Sequence, residues 1–180
     1  MEDVFRIVDG QQRMATTQII ISRILDYLVR NDLSDNAVMR YSNFLEHDDS
    51  NGETRDTLIL GDTDREFFNK HVVRREPMPT PTSIAIISHV AIADAITTVD
   101  EFFETKQSSF TTPEEFKNYL MGMVSFINRK LAVLRVVCED FKLGYTLFRS
   151  LNARGKDLSP VDLIRNHVLQ RTASDSSTIE

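Results

Sequence analysis

The chain has 180 residues, 41% hydrophobic and 27% charged, so it can bury a core and is neither fibrous nor wholly disordered. The single cysteine, Cys138, excludes a disulfide framework and a cysteine-based metal site, and no apolar run approaches the roughly 18 residues of a membrane helix. We expect a buried Cys138 and a cytoplasmic protein. The net charge of -6 is uneven, because residues 129–171 carry nine Lys or Arg against four Asp or Glu, which indicates either a solvated basic surface or one that faces an anion.

The first predicted element is a short strand at residues 3–8, where DVFRIV alternates apolar and polar residues. Its inward positions are predicted to be Val4, Ile7 and Val8. A helix of about five turns is predicted from residue 11 to about residue 30, because apolar side chains recur there at three- and four-residue spacing.

Shorter elements are predicted next. A helix is expected at residues 34–45, capped by Ser34 or Asp35. The segment HDDSNGETRDTLILGDTD, residues 47–64, contains an Asn-Gly pair and predicts a loop or hairpin. Its acids and His47 are interpreted as solvated loop charge rather than as a metal site, because no second histidine or fixed ligand spacing accompanies them.

The second half of the chain is predicted to be mainly helical. A short helix at residues 64–70 leads into the proline-rich connector 75–83, which is the best internal boundary. A long helix is expected at residues 83–105, and the signal TTPEE starts another helix that ends near residue 129. The β-branched run 131–137 predicts a second strand. The long helix is expected to place these residues on its apolar side: Ile84, Ile87, Ala91, Ile92, Ala95 and Phe102 or Phe103.

The first motif with possible chemistry is Asp9-Gly10-Gln11-Gln12-Arg13. A strand that turns through glycine into a helix leaves backbone N–H groups without helical partners, and with the helix dipole these attract an anion. Arg13 lies one turn into the helix on the same face as Thr16 and Thr17, and its planar guanidinium suits phosphate oxygens. The two glutamines can orient a water molecule or contact a ribose or base.

Asp9 has three possible roles in this motif, because a carboxylate beside a phosphate repels it. It can cap the helix, hold a Mg²⁺ ion that bridges it to the phosphates, or accept a proton from an attacking water molecule. Capping is ordinary turn chemistry for Asp-Gly before a helix.

The second motif is LFRSLNARGKDLSPVDLIRN, residues 147–166. A helix from about residue 141 is predicted to stop at Gly155, and Ser159-Pro160 starts another helix close by. Three polar residues crowd the turn between them: Asn152, Arg154 and Lys156. They either complete the helix ends or form a second place for an anion, such as DNA phosphate.

The two motifs together resemble the GmrSD-like family of type IV restriction and phage-defence proteins, specifically its N-terminal ParB/sulfiredoxin-like domain. IVDGQQRMATTQ is similar to the DGQQR element of that family, with Met14 where leucine is usual, and LFRSLNARGKDLSPVDLIRN is similar to its distal element. The similarity covers roughly residues 4–170.

The resemblance implies binding and hydrolysis of a nucleoside triphosphate with Mg²⁺, coupled to recognition and cutting of modified DNA. By this resemblance, residues 9–13 contact or hydrolyse the phosphates, with Asp9, Gln12 and Arg13 as catalytic residues. It also implies a nuclease domain or subunit elsewhere and further strands before DGQQR. On that expectation the chain is a truncated member whose open strand edge favours a homodimer or a partner subunit.

The resulting fold prediction is mainly α with a few short strands, in which a ParB/sulfiredoxin-like remnant precedes a helical bundle. The predicted domains are residues 1–76 with the DGQQR segment, residues 77–171 with the LNARG motif, and a disordered tail at residues 172–180. The competing hypothesis is a non-catalytic module that binds DNA or protein.

Overall fold

The structure, a computed structural model, describes residues 5–80, 83–133, 135–138 and 140–152. The predicted fold class is confirmed: the described chain is mainly α-helical with one antiparallel two-stranded hairpin. The helices are α1 (Gln11–Arg30), α2 (Asn36–Met39), α3 (Asp62–Phe68), α4 (Ile87–Gln107), α5 (Pro113–Lys130) and α6 (Phe141–Asn152). The hairpin strands are β1 (Glu46–Asp48) and β2 (Thr54–Asp56), a 3₁₀ turn spans Arg40–Phe44, and a π turn spans Asn69–Val73.

Contacts within the chain define two compact units. Among the described residues, the first unit holds Phe5 and Gly10–Ala132, and the second holds Arg6–Asp9 and the residues from Val133 onwards. The core of buried apolar side chains lies in the first unit. The predicted domain division at residue 76 stays a prediction.

Helix α1 is the centre of the first unit. It contacts α4, α5, the 3₁₀ turn and the π turn, and its middle residues Ile21, Ile24 and Leu28 are completely buried. Each such side chain removed from water contributes about 1.5 to 3 kcal/mol to folding. An apolar face repeated over several turns therefore fixes α1 against its neighbours far more firmly than helix propensity does.

Three polar side chains of α1 are also buried, and each bonds to a different neighbouring element. Gln18 Nε2 donates to the carbonyl oxygen of Phe44 at 2.7 Å, and Ser22 Oγ donates to the carbonyl oxygen of Val72 in the π turn. Arg23 binds an acidic residue of α4. The partners satisfy groups that would otherwise be costly to bury, although Gln18 Oε1 has no hydrogen-bond partner among the described residues.

Both predicted strands outside the hairpin are wrong where the structure describes them. No strand ladder is formed by residues 5–8, 131–133 or 135–137. The side chains of Ile7, Val8 and Val133 are exposed, and Val4 lies outside the described residues. β-branched composition favours a strand only when a second strand completes its hydrogen bonds, and the hairpin is the sheet found in the described chain. Cys138 is likewise only half-buried, contrary to the prediction.

The hairpin and the first three helices agree with the predicted patterns. The helix expected at residues 34–45 is α2 followed by the 3₁₀ turn, and Asp35 Oδ1 caps it by accepting the amide of Val38 at 2.9 Å. The hairpin pairs Glu46 with Asp56 and turns around Asp49, whose carboxylate accepts two backbone amides of the turn. Helix α3 begins two residues before its predicted start.

The two longest helices of the second half differ in how well they follow prediction. Helix α5 has the predicted start, with Thr112 and Glu115 in a capping box and proline at its first position. Helix α4 begins at residue 87 rather than 83, and Ile87 is 86% exposed instead of lying on the buried side. Phe103 is buried while Phe102 is exposed, because adjacent helical residues point about 100° apart.

The end of the π turn places a non-glycine residue in the left-handed region. Arg75 has φ 59, and the bonds that close the turn run from Glu76 N to Lys70 O and from Arg74 N to Asn69 O, both at 2.9 Å. This is the position where glycine is favoured after a helix.

We predict that Arg75→Gly stabilises the protein by about 1 kcal/mol, because glycine removes the Cβ strain at positive φ. The matched control is Arg74→Gly, at φ -83, which should lose up to about 1 kcal/mol. Urea unfolding followed by circular dichroism measures both. A lower stability for Arg75→Gly than for the unsubstituted protein would show that this turn is not formed as described.

Candidate functional site

The DGQQR motif lies where α1 begins. Gly10 is the N-cap residue, with φ 92 and ψ 0, and its carbonyl oxygen accepts the amide of Met14 at 2.9 Å. That bond opens the helical ladder, so the amides of Gln11, Gln12 and Arg13 have no acceptor within the helix. The positive φ explains why glycine is required here, since a Cβ would strain the backbone.

The guanidinium of Arg13 lies at this same end of the helix. Its Nη2 atom is 3.9 Å from the position that a Cβ on Gly10 would occupy. The side chain therefore extends back towards the N-terminal end of α1, and it is exposed to solvent. A positive side chain and the positive end of the helix dipole are thus concentrated at one accessible point.

The neighbouring predicted residues are not all equally available to a ligand. Gln11, Gln12 and Thr16 are exposed. Thr17 Oγ1 donates to the carbonyl oxygen of Arg13 at 2.8 Å, so its proton is already used and the hydroxyl can only accept another hydrogen bond. The first turn of α1 therefore brings together Gly10, both glutamines and Arg13, with Thr16 one turn further along.

Acidic side chains lie at or against the other helix starts in the described part of the chain, whereas the nearest acidic residue of α1 in sequence, Asp9, precedes its cap. Asp35 caps α2, α3 carries Asp62 and Asp64 in its first turn, and the first turn of α5 contains two glutamates, one of which belongs to its capping box. The carboxylate of Asp64 also accepts Ser88 Oγ in the first turn of α4 at 2.6 Å, and Asp140 accepts the amide of Lys142 at the start of α6. At α1 a glycine takes the cap position, and the charged residue of the first turn is Arg13.

Asp9 is exposed and immediately precedes the cap residue. Because Gly10 is the N-cap, Asp9 occupies the position before it, and its three possible roles stay predictions. The described residues contain no group of three or more His, Cys, Asp or Glu that could hold a metal ion.

The second predicted site falls almost entirely beyond the described residues. Asn152 is the last residue of α6, and Arg154 and Lys156 lie outside the described chain. In the second unit, α6 packs on Cys138 and Val8: both side chains lie within 3.8 Å of the point where a Cβ on Gly144 would be. The sequence pattern of α6 did not predict this packing at Gly144.

The sequence patterns did not identify Arg23, whose charged side chain is buried in the structure. A single arginine inside the apolar run IISRIL is the signal that could have found it, since a charge on an apolar helix face needs a partner.

No helix in the described part of the chain is long and apolar enough to span a membrane.

These features define a mainly α-helical domain with an exposed helix start that carries Asp9 before its cap and Arg13 in its first turn. A family model described as "GmrSD restriction endonuclease, N-terminal domain" matches residues 2–169. The chain therefore belongs to this family of N-terminal domains, which assigns it to a restriction or phage-defence protein. No curated protein matches the chain, and no solved structure matches it.

We predict that Gly10→Ala destabilises the protein by about 1 to 2 kcal/mol, because alanine is strained at φ 92. The contact with Arg13 at 3.9 Å is ordinary, so the cost comes from the backbone. Gly122→Ala is the matched control: this glycine lies inside α5 with open space around it, and alanine there should gain up to about 1 kcal/mol. Thermal denaturation measures the stability of both variants. An unchanged midpoint for Gly10→Ala would contradict the positive φ of the residue at the start of α1.

Proposed function

We propose that this domain binds and hydrolyses a nucleoside triphosphate and thereby regulates a modification-dependent DNA restriction protein. The observation that carries the proposal is the position of the Arg13 guanidinium beside the exposed first turn of α1. Membership of the GmrSD family supports a role in a restriction or phage-defence protein. The compartment that we propose for this function is the cytoplasm.

The size of the interactions indicates which ligand suits this site. An anion at a helix N-terminus gains about 0.3 to 1 kcal/mol, and a hydrogen bond to a charged group about 1.5 to 3 kcal/mol. Together these reach only about 4 kcal/mol, which corresponds to a Kd near 1 mM. A phosphate group alone should therefore bind weakly, whereas a nucleotide adds contacts of its ribose or base with Gln11, Gln12 and Thr16.

The hydrolytic step assigns a role to each polar residue of the motif. A water molecule attacks the terminal phosphorus, the bond from that phosphorus to the oxygen shared with the next phosphate breaks, and the nucleoside diphosphate leaves while inorganic phosphate is formed. Gln12 orients the water, Asp9 holds Mg²⁺ or accepts the proton of the water, and Arg13 stabilises the charge that develops on the phosphoryl oxygens. In the first of these roles Asp9 would hold the Mg²⁺ ion, which would supply positive charge to offset part of the phosphate charge.

The partners in this proposal are DNA and a nuclease domain or subunit. The basic residues from position 129 onwards supply a surface for the DNA backbone, and the chemistry of cutting belongs to the nuclease. We also propose a homodimer, because exposed apolar side chains such as those of Ile7 and Val8 favour association with another chain.

Calorimetric titration of the protein with ATP, GTP and CTP in the presence of Mg²⁺ tests the site. We expect one of them to bind, and Arg13→Ala to weaken that binding about 10- to 100-fold, which matches the loss of one or two charged hydrogen bonds. The affinity of Arg13→Lys should lie between those of the unsubstituted protein and Arg13→Ala, because lysine keeps the charge but lacks the planar guanidinium that can bind two phosphate oxygens. Arg30→Ala, at the opposite end of the same helix, is the control and should bind within about twofold of the unsubstituted protein.

The same samples, assayed for phosphate release with Mg²⁺ and with a chelator, separate binding from hydrolysis. Asp9→Asn and Gln12→Leu should lower the rate of release by at least about 10²-fold while nucleotide still binds. The proposed site is rejected if no nucleotide binds, or if Arg13→Ala binds as tightly as the unsubstituted protein.

The alternative function, a DNA-binding module without catalysis, rests on the excess of basic residues from 129 to 171. It predicts DNA binding that weakens with salt, that Arg13→Ala does not alter, and that falls when Arg154 and Lys156 are both changed to alanine. The slope of log affinity against log salt should drop by about 2 in that double variant, because two phosphate contacts are lost. Fluorescence anisotropy with labelled DNA at several salt concentrations measures it, and an unchanged slope would refute this alternative.

A further inference from the structure

We draw no further inference here: the strongest candidate, the exposed apolar surface of the second unit formed by Val133, Val136 and Val137 together with Leu143 and Leu147 of α6, carries nothing because nothing in the structure shows what covers it.

Discussion

The ion pair between Arg23 of α1 and Asp100 of α4 is the constraint that holds the first unit in one arrangement. Arg23 is only 8% exposed, and its Nε and Nη2 atoms bind the two carboxylate oxygens of Asp100 at 2.7 and 2.9 Å. Asp26 adds a second carboxylate at 2.7 Å. A buried guanidinium left without any partner costs about 3 to 5 kcal/mol. Loss of Asp100 alone should cost less, because Asp26 still pairs with Arg23 and Asp100 is 36% exposed. The pair therefore sets the rotation of α1 more strictly than apolar packing alone, because apolar side chains tolerate small shifts.

The fixed rotation of α1 determines what its first turns present to solvent. The buried side begins at Gln18, which is tied to the 3₁₀ turn, and the residues from Gln11 to Met14 are exposed. A phosphate-binding helix start needs rigid support on one side and access on the other, because a loose helix end would lose binding energy in becoming ordered. The buried polar contacts of α1 would supply the support, and its exposed first turn the access, that the proposed phosphate site needs.

Sequence patterns predicted the parts of the fold that depend on local chemistry. The helix at α1, the capping box of α5 and the hairpin around Asn51-Gly52 all follow from spacing, caps and turn residues that act within a few positions. The two strand predictions failed because a strand depends on a distant partner, which composition does not reveal. The Arg23–Asp100 pair joins residues 77 positions apart, so no local pattern could have named Asp100. The position of Arg13 beside Gly10 follows from helix geometry, since residues three positions apart lie on one side of a helix.

The most direct test of the account is the response of individual backbone amides to a nucleotide, measured by ¹⁵N NMR. If the start of α1 receives the phosphates, the largest shifts on titration belong to Gln11, Gln12 and Arg13. The amides at the start of α5 should stay nearly unchanged, because Glu114 and Glu115 occupy its first turn. Saturable shifts that are largest elsewhere, with the amides of residues 11 to 13 unaffected, would contradict the claim that this helix start is the phosphate receptor.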